Sequence, residues 1–171
     1  MKKHLVRIRL AACMLALCMA VLLAGCGSAL PPWMPSGQND AAISFVGFTV
    51  SEGEVTQSTL DLEDGTRWQY TAEGGLSSSK PAHGMRSPTS LKGKDLPKLV
   101  SALNDWAKGQ GVTEYFVTMM AAEAAALPTA NAIGAYSLRQ GKLLSPGEGG
   151  EAFACLIVQT KDGTGTVSLV P

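Results

Sequence analysis

Histidine and cysteine are scarce once the N-terminus is set aside. The chain has 2 histidines, His4 and His83, and 4 cysteines, of which Cys13, Cys18 and Cys26 fall near the start. Past residue 26 only His83 and Cys155 remain, too few for a structural zinc site. Cys155 lies in the apolar run Phe153-Ala154-Cys155-Leu156 and reads as a small buried residue. No apolar run reaches the roughly 20 residues that span a bilayer; the longest, residues 10–24, is about 15. There is no clustered basic excess of the kind that binds nucleic acid. G-x-S-x-G, the P-loop lysine motif and internal repeats are missing as well. Gly147-Glu148-Gly149-Gly150-Glu151-Ala152 fits the relaxed dinucleotide fingerprint, but it precedes an apolar strand pattern instead of following one, so it reads as a loop.

What is present begins at the N-terminus. Lys2, Lys3, Arg7 and Arg9 come before the apolar run 10–24, which ends in small residues. A cationic start, a short apolar middle and a small-residue end make a secretory signal peptide rather than a permanent transmembrane helix. These 25 residues hold four of the 14 basic residues and none of the 14 acids, so the rest carries 10 basic against 14 acidic residues, a formal charge of about −4.

Leu23-Ala24-Gly25-Cys26 resembles the lipobox of bacterial lipoproteins. The resemblance covers residues 1–26 alone. It implies lipid attachment to the Cys26 thiol and cleavage between Gly25 and Cys26. It further implies a membrane anchor through palmitate-type acyl chains, two or three of which hold durably where one is marginal. Gly27 is not the Asp that keeps such proteins in the inner membrane of two-membrane bacteria, so there the outer membrane is the expected address.

The remaining 146 residues suffice for one domain. Residues 27–42, with Pro31, Pro32, Pro35 and Gly37, read as a flexible tether reaching roughly 20 Å. Trp33 and Met34 there either dip into the membrane interface or pack on the domain. The domain is expected over 43–171. Residues 43–50 read as a strand, followed by 54–62 and 66–72 around Glu63-Asp64-Gly65. A three-residue loop there sets Trp68 opposite Leu60 and Tyr70 opposite Ser58, which puts Leu60, Leu62, Trp68 and Tyr70 on one face with Gly65 at positive φ. Residues 73–93, rich in Gly, Ser and Pro, read as a structureless solvated loop that collects Lys80, Arg86, Lys92 and the following Lys94.

Leu96, Leu99, Val100, Leu103 and Trp106 recur at helical spacing behind Asp95 as cap and Pro97 in the first turn, and Gly109 and Gly111 supply the stop. Residues 112–119 read as a strand running into a short helix, 121–127, that ends at Pro128. The C-terminus reads as a meander: 135–138, 142–144, an apolar strand 152–160 covered on both faces, and 166–170. A two-residue Asp162-Gly163 turn pairs Val158 with Val167 and Leu156 with Leu169. The sum is an α+β fold, a mostly antiparallel sheet with one or two helices packed on a face.

No catalytic set emerges, and no cofactor or metal is implied. His83 lies in the loose loop near Ser77, Ser78 and Ser79; the acids Glu52, Glu54, Asp61, Glu63 and Asp64 sit at strand ends, where carboxylates are ordinarily solvated. The expectation is a non-enzymatic envelope module that binds or assembles with an envelope protein. The alternatives are an envelope-polymer hydrolase using His83, Asp61 and Glu63, and a carrier holding a small apolar ligand between the helix 96–108 and the sheet.

Overall fold

A computed structural model describes residues 30–80, 89–121 and 131–171. Cys26 and the signal segment, His83, and most of the expected helix 121–127 lie outside these residues, although Ala121 itself ends a strand.

Among these residues nine strands form one sheet: β1 (Ile43–Ser51), β2 (Glu54–Leu62), β3 (Arg67–Thr71), β4 (Gly75–Ser79), β5 (Glu114–Ala121), β6 (Ala132–Ser137), β7 (Lys142–Leu144), β8 (Ala154–Thr160) and β9 (Gly163–Val170). Their order is β4-β3-β2-β1-β5-β8-β9-β6-β7. One helix, α1 (Leu96–Gly109), follows a 3-10 turn at Gly93–Asp95. The α+β architecture with a sheet-dominated core therefore holds for the described residues.

The sheet is sorted by side-chain alternation. On its inner face Val46, Phe48, Val50, Leu60, Val117, Leu156, Val158 and Leus such as Leu169 are buried. They meet Leu96, Leu99, Val100, Leu103 and Ala107, the apolar stripe of α1. The helix ends as its glycines foretell: Gly111 N–H donates to the Lys108 carbonyl and Val112 N–H to that of Ala107, so the last carbonyls are satisfied. Asp95 stands at the N-cap position, but its carboxylate accepts from the Lys92 N–H at 3.0 Å instead of capping α1.

The β2–β3 register is as the sequence requires: Leu60 faces Trp68, Ser58 faces Tyr70, and Gly65 has φ +82°. Two irregularities interrupt β1–β2, one beside Ser44 and one beside Thr56. The extra residue at the first lets Ile43 and Ser44 both be buried, with Ser44 Oγ donating to the Asp61 carbonyl at 2.9 Å.

Four expectations need correction. First, the folded unit starts at Pro31, not near Ile43. Trp33 and Met34 are 6% and 4% exposed and join the core, so from Pro31 onward the segment packs instead of acting as a free tether. Second, residues 73–93 are not structureless throughout. Residues 75–79 form β4 against β3, and Leu91 is fully buried beside an Ala42–Lys92 bridge. Third, the C-terminal strands are not a simple meander, because β9 pairs β6 in parallel. Fourth, the β8–β9 turn is Lys161-Asp162. Leu156 faces Val167 and Val158 faces Gly165, two residues from the expected register. A slip of two keeps every side chain on its face, so apolar patterning is blind to it. Thr160 decides the turn: its hydroxyl donates to the Gly163 carbonyl and accepts from the Asp162 N–H. β8 lies between β5 and β9, with Ala154, Leu156 and Val158 wholly buried inside and, on the other face, Cys155 buried, Ile157 half-buried and Gln159 exposed.

Candidate functional site

The acids considered for catalysis do not converge. Glu52 and Glu54 flank the β1–β2 turn, while Asp61, Glu63 and Asp64 lie at the other end of β2, roughly 27 Å along the strand. Asp61 is not solvated as expected. It is 2% exposed, and its carboxylate accepts two hydrogen bonds from the Arg67 guanidinium, at 2.6 Å from Nε and 2.7 Å from Nη2. The pairing strand places them opposite each other. That fork raises the Arg67 pKa, chiefly through the hydrogen bond to Asp61. Ser77, Ser78 and Ser79 stand exposed on β4. Cys155 is 3% exposed, and burial raises its thiol pKa. Among the described residues no three His, Cys, Asp or Glu side chains gather as a metal site, and no helix is long and apolar enough to cross a membrane.

The space considered for an apolar ligand is occupied. Leu96, Leu99 and Leu103 of α1 have no exposed surface, nor have Val46, Val50 and Leu156 of the sheet. A ligand there displaces packed side chains.

Surface hollows of about 360–530 Å³ remain among the described residues, two of them of about 360 Å³. One lies where the end of α1 meets the β1–β2 turn and the start of β5, lined by Glu52, Asn104, Asp105, Lys108 and Tyr115. It is built around a clamp. Asn104 Nδ2 donates to the Gly53 carbonyl at 2.7 Å, and the Tyr115 hydroxyl donates to Asn104 Oδ1 at 2.7 Å. Burial raises the Tyr115 pKa, which keeps the phenol a donor. The hydroxyl and amide are thereby spent on holding helix and hairpin together.

The other hollow lies on the outward face of the sheet, lined by Phe45, Thr49, Gln57, Thr59, Gln69 and Phe116. Cross-strand pairing puts these residues in rows. From β3 to β9 one row reads Gln69, Thr59, Gly47, Thr118, Ile157, Thr166. The next reads Thr71, Gln57, Thr49, Phe116, Gln159, Thr164. Neither row contains a charge, although six strands set roughly 24 Å across. The Phe45 ring lies over Gly47, 3.4 Å from where a side-chain carbon would begin. Phe116 is 40% exposed. Charges border the rows on both sides: Asp61 and Arg67, which pair with each other, beyond Thr59 and Gln69, and Glu114 and Lys161 beyond Phe116 and Gln159.

Sequence reasoning did not single out this face. Half of it was within reach: the three-residue loop that pairs Leu60 with Trp68 also pairs Thr59 with Gln69. The other half depends on β1 lying beside β5, a neighbour some 70 residues on, which no local pattern encodes.

No protein-family model, no curated protein and no solved structure matches this chain.

Proposed function

We propose that this protein is a bacterial cell-envelope lipoprotein. It is cut before Cys26, acylated there, and carries a non-enzymatic binding or assembly module on the extracytoplasmic side. One observation carries the reading: Leu23-Ala24-Gly25-Cys26 closes a short apolar run that follows Lys2, Lys3, Arg7 and Arg9. A hydrolase using His83, Asp61 and Glu63 gains no support, since the Asp61 carboxylate is engaged by Arg67 and His83 lies outside the described residues. The tether is shorter than the sequence suggests. Residues 27–30 alone separate Cys26 from the folded unit, a link of at most about 17 Å. The module is then held close to the bilayer, and in a two-membrane cell Gly27 favours the outer one.

The test is the mass of the native protein extracted from membranes. The expected product begins at Cys26 and carries the added mass of acyl chains, and Cys26→Ser abolishes both the added mass and membrane retention. An unmodified residue 26, or a product that still holds residues 1–25, overturns the proposal.

A further inference from the structure

We infer that the outward face of the sheet is a docking platform for a neutral glycan chain. The inference rests on the envelope reading for the source of the ligand, an envelope polysaccharide, and on the face itself for its chemistry.

The first argument is charge. Two full rows across β3, β2, β1, β5, β8 and β9 hold no acid and no base, in a chain that carries 10 basic and 14 acidic residues past residue 25. A polyanion finds no cation in them; the adjacent Arg67 is held by Asp61 at 2.6 Å, and Lys161, beyond Gln159, lines the next hollow together with Glu114 and Asp162. The second argument is hydrogen bonding. Gln57, Gln69 and Gln159 are exposed, with Thr49 and Thr59 half-buried between them. Amides and hydroxyls both donate and accept, which matches sugar hydroxyls and leaves an apolar ligand with unpaired polar neighbours. The third is the ring of Phe116. Thr49 flanks it on β1 and Gln159 on β8. An exposed aromatic face between two hydrogen-bonding side chains suits the apolar C–H face of a sugar ring, with the amide and hydroxyl reaching its equatorial oxygens. A protein partner wants a cluster of large apolar anchors. On this face Phe116 is the one large apolar side chain that is exposed, among the described residues.

The test uses the full chain in dodecyldimethylamine oxide, a detergent without sugar, titrated calorimetrically with cellotetraose, maltotetraose and the tetramer of N-acetylglucosamine. Tetragalacturonate and the glucosamine tetramer serve as the anionic and cationic controls. Saturable binding of at least one neutral tetramer is expected, with neither control binding as tightly. Phe116→Ala weakens it about tenfold, the loss of one stacking contact. Phe116→Tyr retains it, and Lys108→Ala at the other hollow leaves it unchanged. Circular dichroism confirms that the exposed substitutions leave the fold intact. Failure of all three neutral tetramers, equal binding of a charged one, or an unaltered Phe116→Ala affinity overturns the inference. So does a photo-crosslinking residue at position 57 that captures protein and no glycan in native membranes. Acyl mass at Cys26 is read on the same preparation. Acylation without glycan binding removes the platform alone, and glycan binding without acylation removes the anchor alone.

Discussion

Single residues show how far burial overrides ordinary chemistry. Tyr115 and Tyr136 are 2% and 1% exposed. Burial raises both phenols, Tyr136 to about 12 with a smaller push from Asp95. An unfolded tyrosine titrates near pH 10, so both raised groups contribute stability that is complete below about pH 10 and lost as pH rises above it, through about 12 for Tyr136. Urea midpoints are therefore expected to fall across that alkaline window, and to fall less steeply in Tyr136→Phe. Asp61 makes the opposite kind of demand. Its carboxylate is buried and holds two charge-assisted bonds from a single side chain, so Arg67→Ala strands a charge and is expected to cost on the order of 2 kcal/mol in urea unfolding. Ser58 runs against the usual direction. Its hydroxyl is buried on the inner face with no partner, as is Trp68 Nε1. Ser58→Ala removes an unsatisfied group, and a gain of about 1 kcal/mol in the same assay is expected.

At the scale of elements, close approach matters more than propensity. The segment from Pro31 to Ala42 carries turn residues and reads as coil, yet it is fastened on both sides. Lys94 N–H donates to the Asn39 carbonyl, Gly93 N–H to that of Ala41, and Lys94 Nζ meets the Asp40 carboxylate at 2.9 Å. A side-chain carbon on Gly93 falls 2.2 Å from the Gln38 carbonyl oxygen. Gly93→Ala is thus expected to destabilise by about 1–3 kcal/mol, the usual cost of overpacking, by forcing the segment off the 3-10 turn. Trp33→Ala tests the same packing from the other side. A tethered Trp is dispensable, whereas the buried one is expected to cost about 3–5 kcal/mol in unfolding free energy. The strands teach a related lesson. The β2–β3 register was legible because its loop is short and a one-residue slip turns Leu60 and Trp68 outward. The β8–β9 register was not, because Val167 and Leu169 stay inside whichever of two turns is used.

For the whole molecule, the parallel β6–β9 pair joins β6 and β7 to the rest and makes one sheet of nine strands among the described residues. Its single described thiol, Cys155, lies in β8 near the middle, so thiol labelling is expected to track global unfolding with urea rather than local opening. What the chain's order of residues determined by itself was local: the stripe of α1 and its glycine stop, which strand positions point inward, and the tight loop at Gly65. These follow from periods of 3.6 and 2 and from turn geometry, all of which act over a few residues. Which strands lie side by side was decided only in three dimensions. So were the return of Trp33 into the core, the burial of the Asp61 carboxylate, and the gathering of Phe116 with Gln57 and Gln69 on one face. The physical reason is that burial and cross-strand contact are properties of distant neighbours, and equivalent local patterns permit several sets of them.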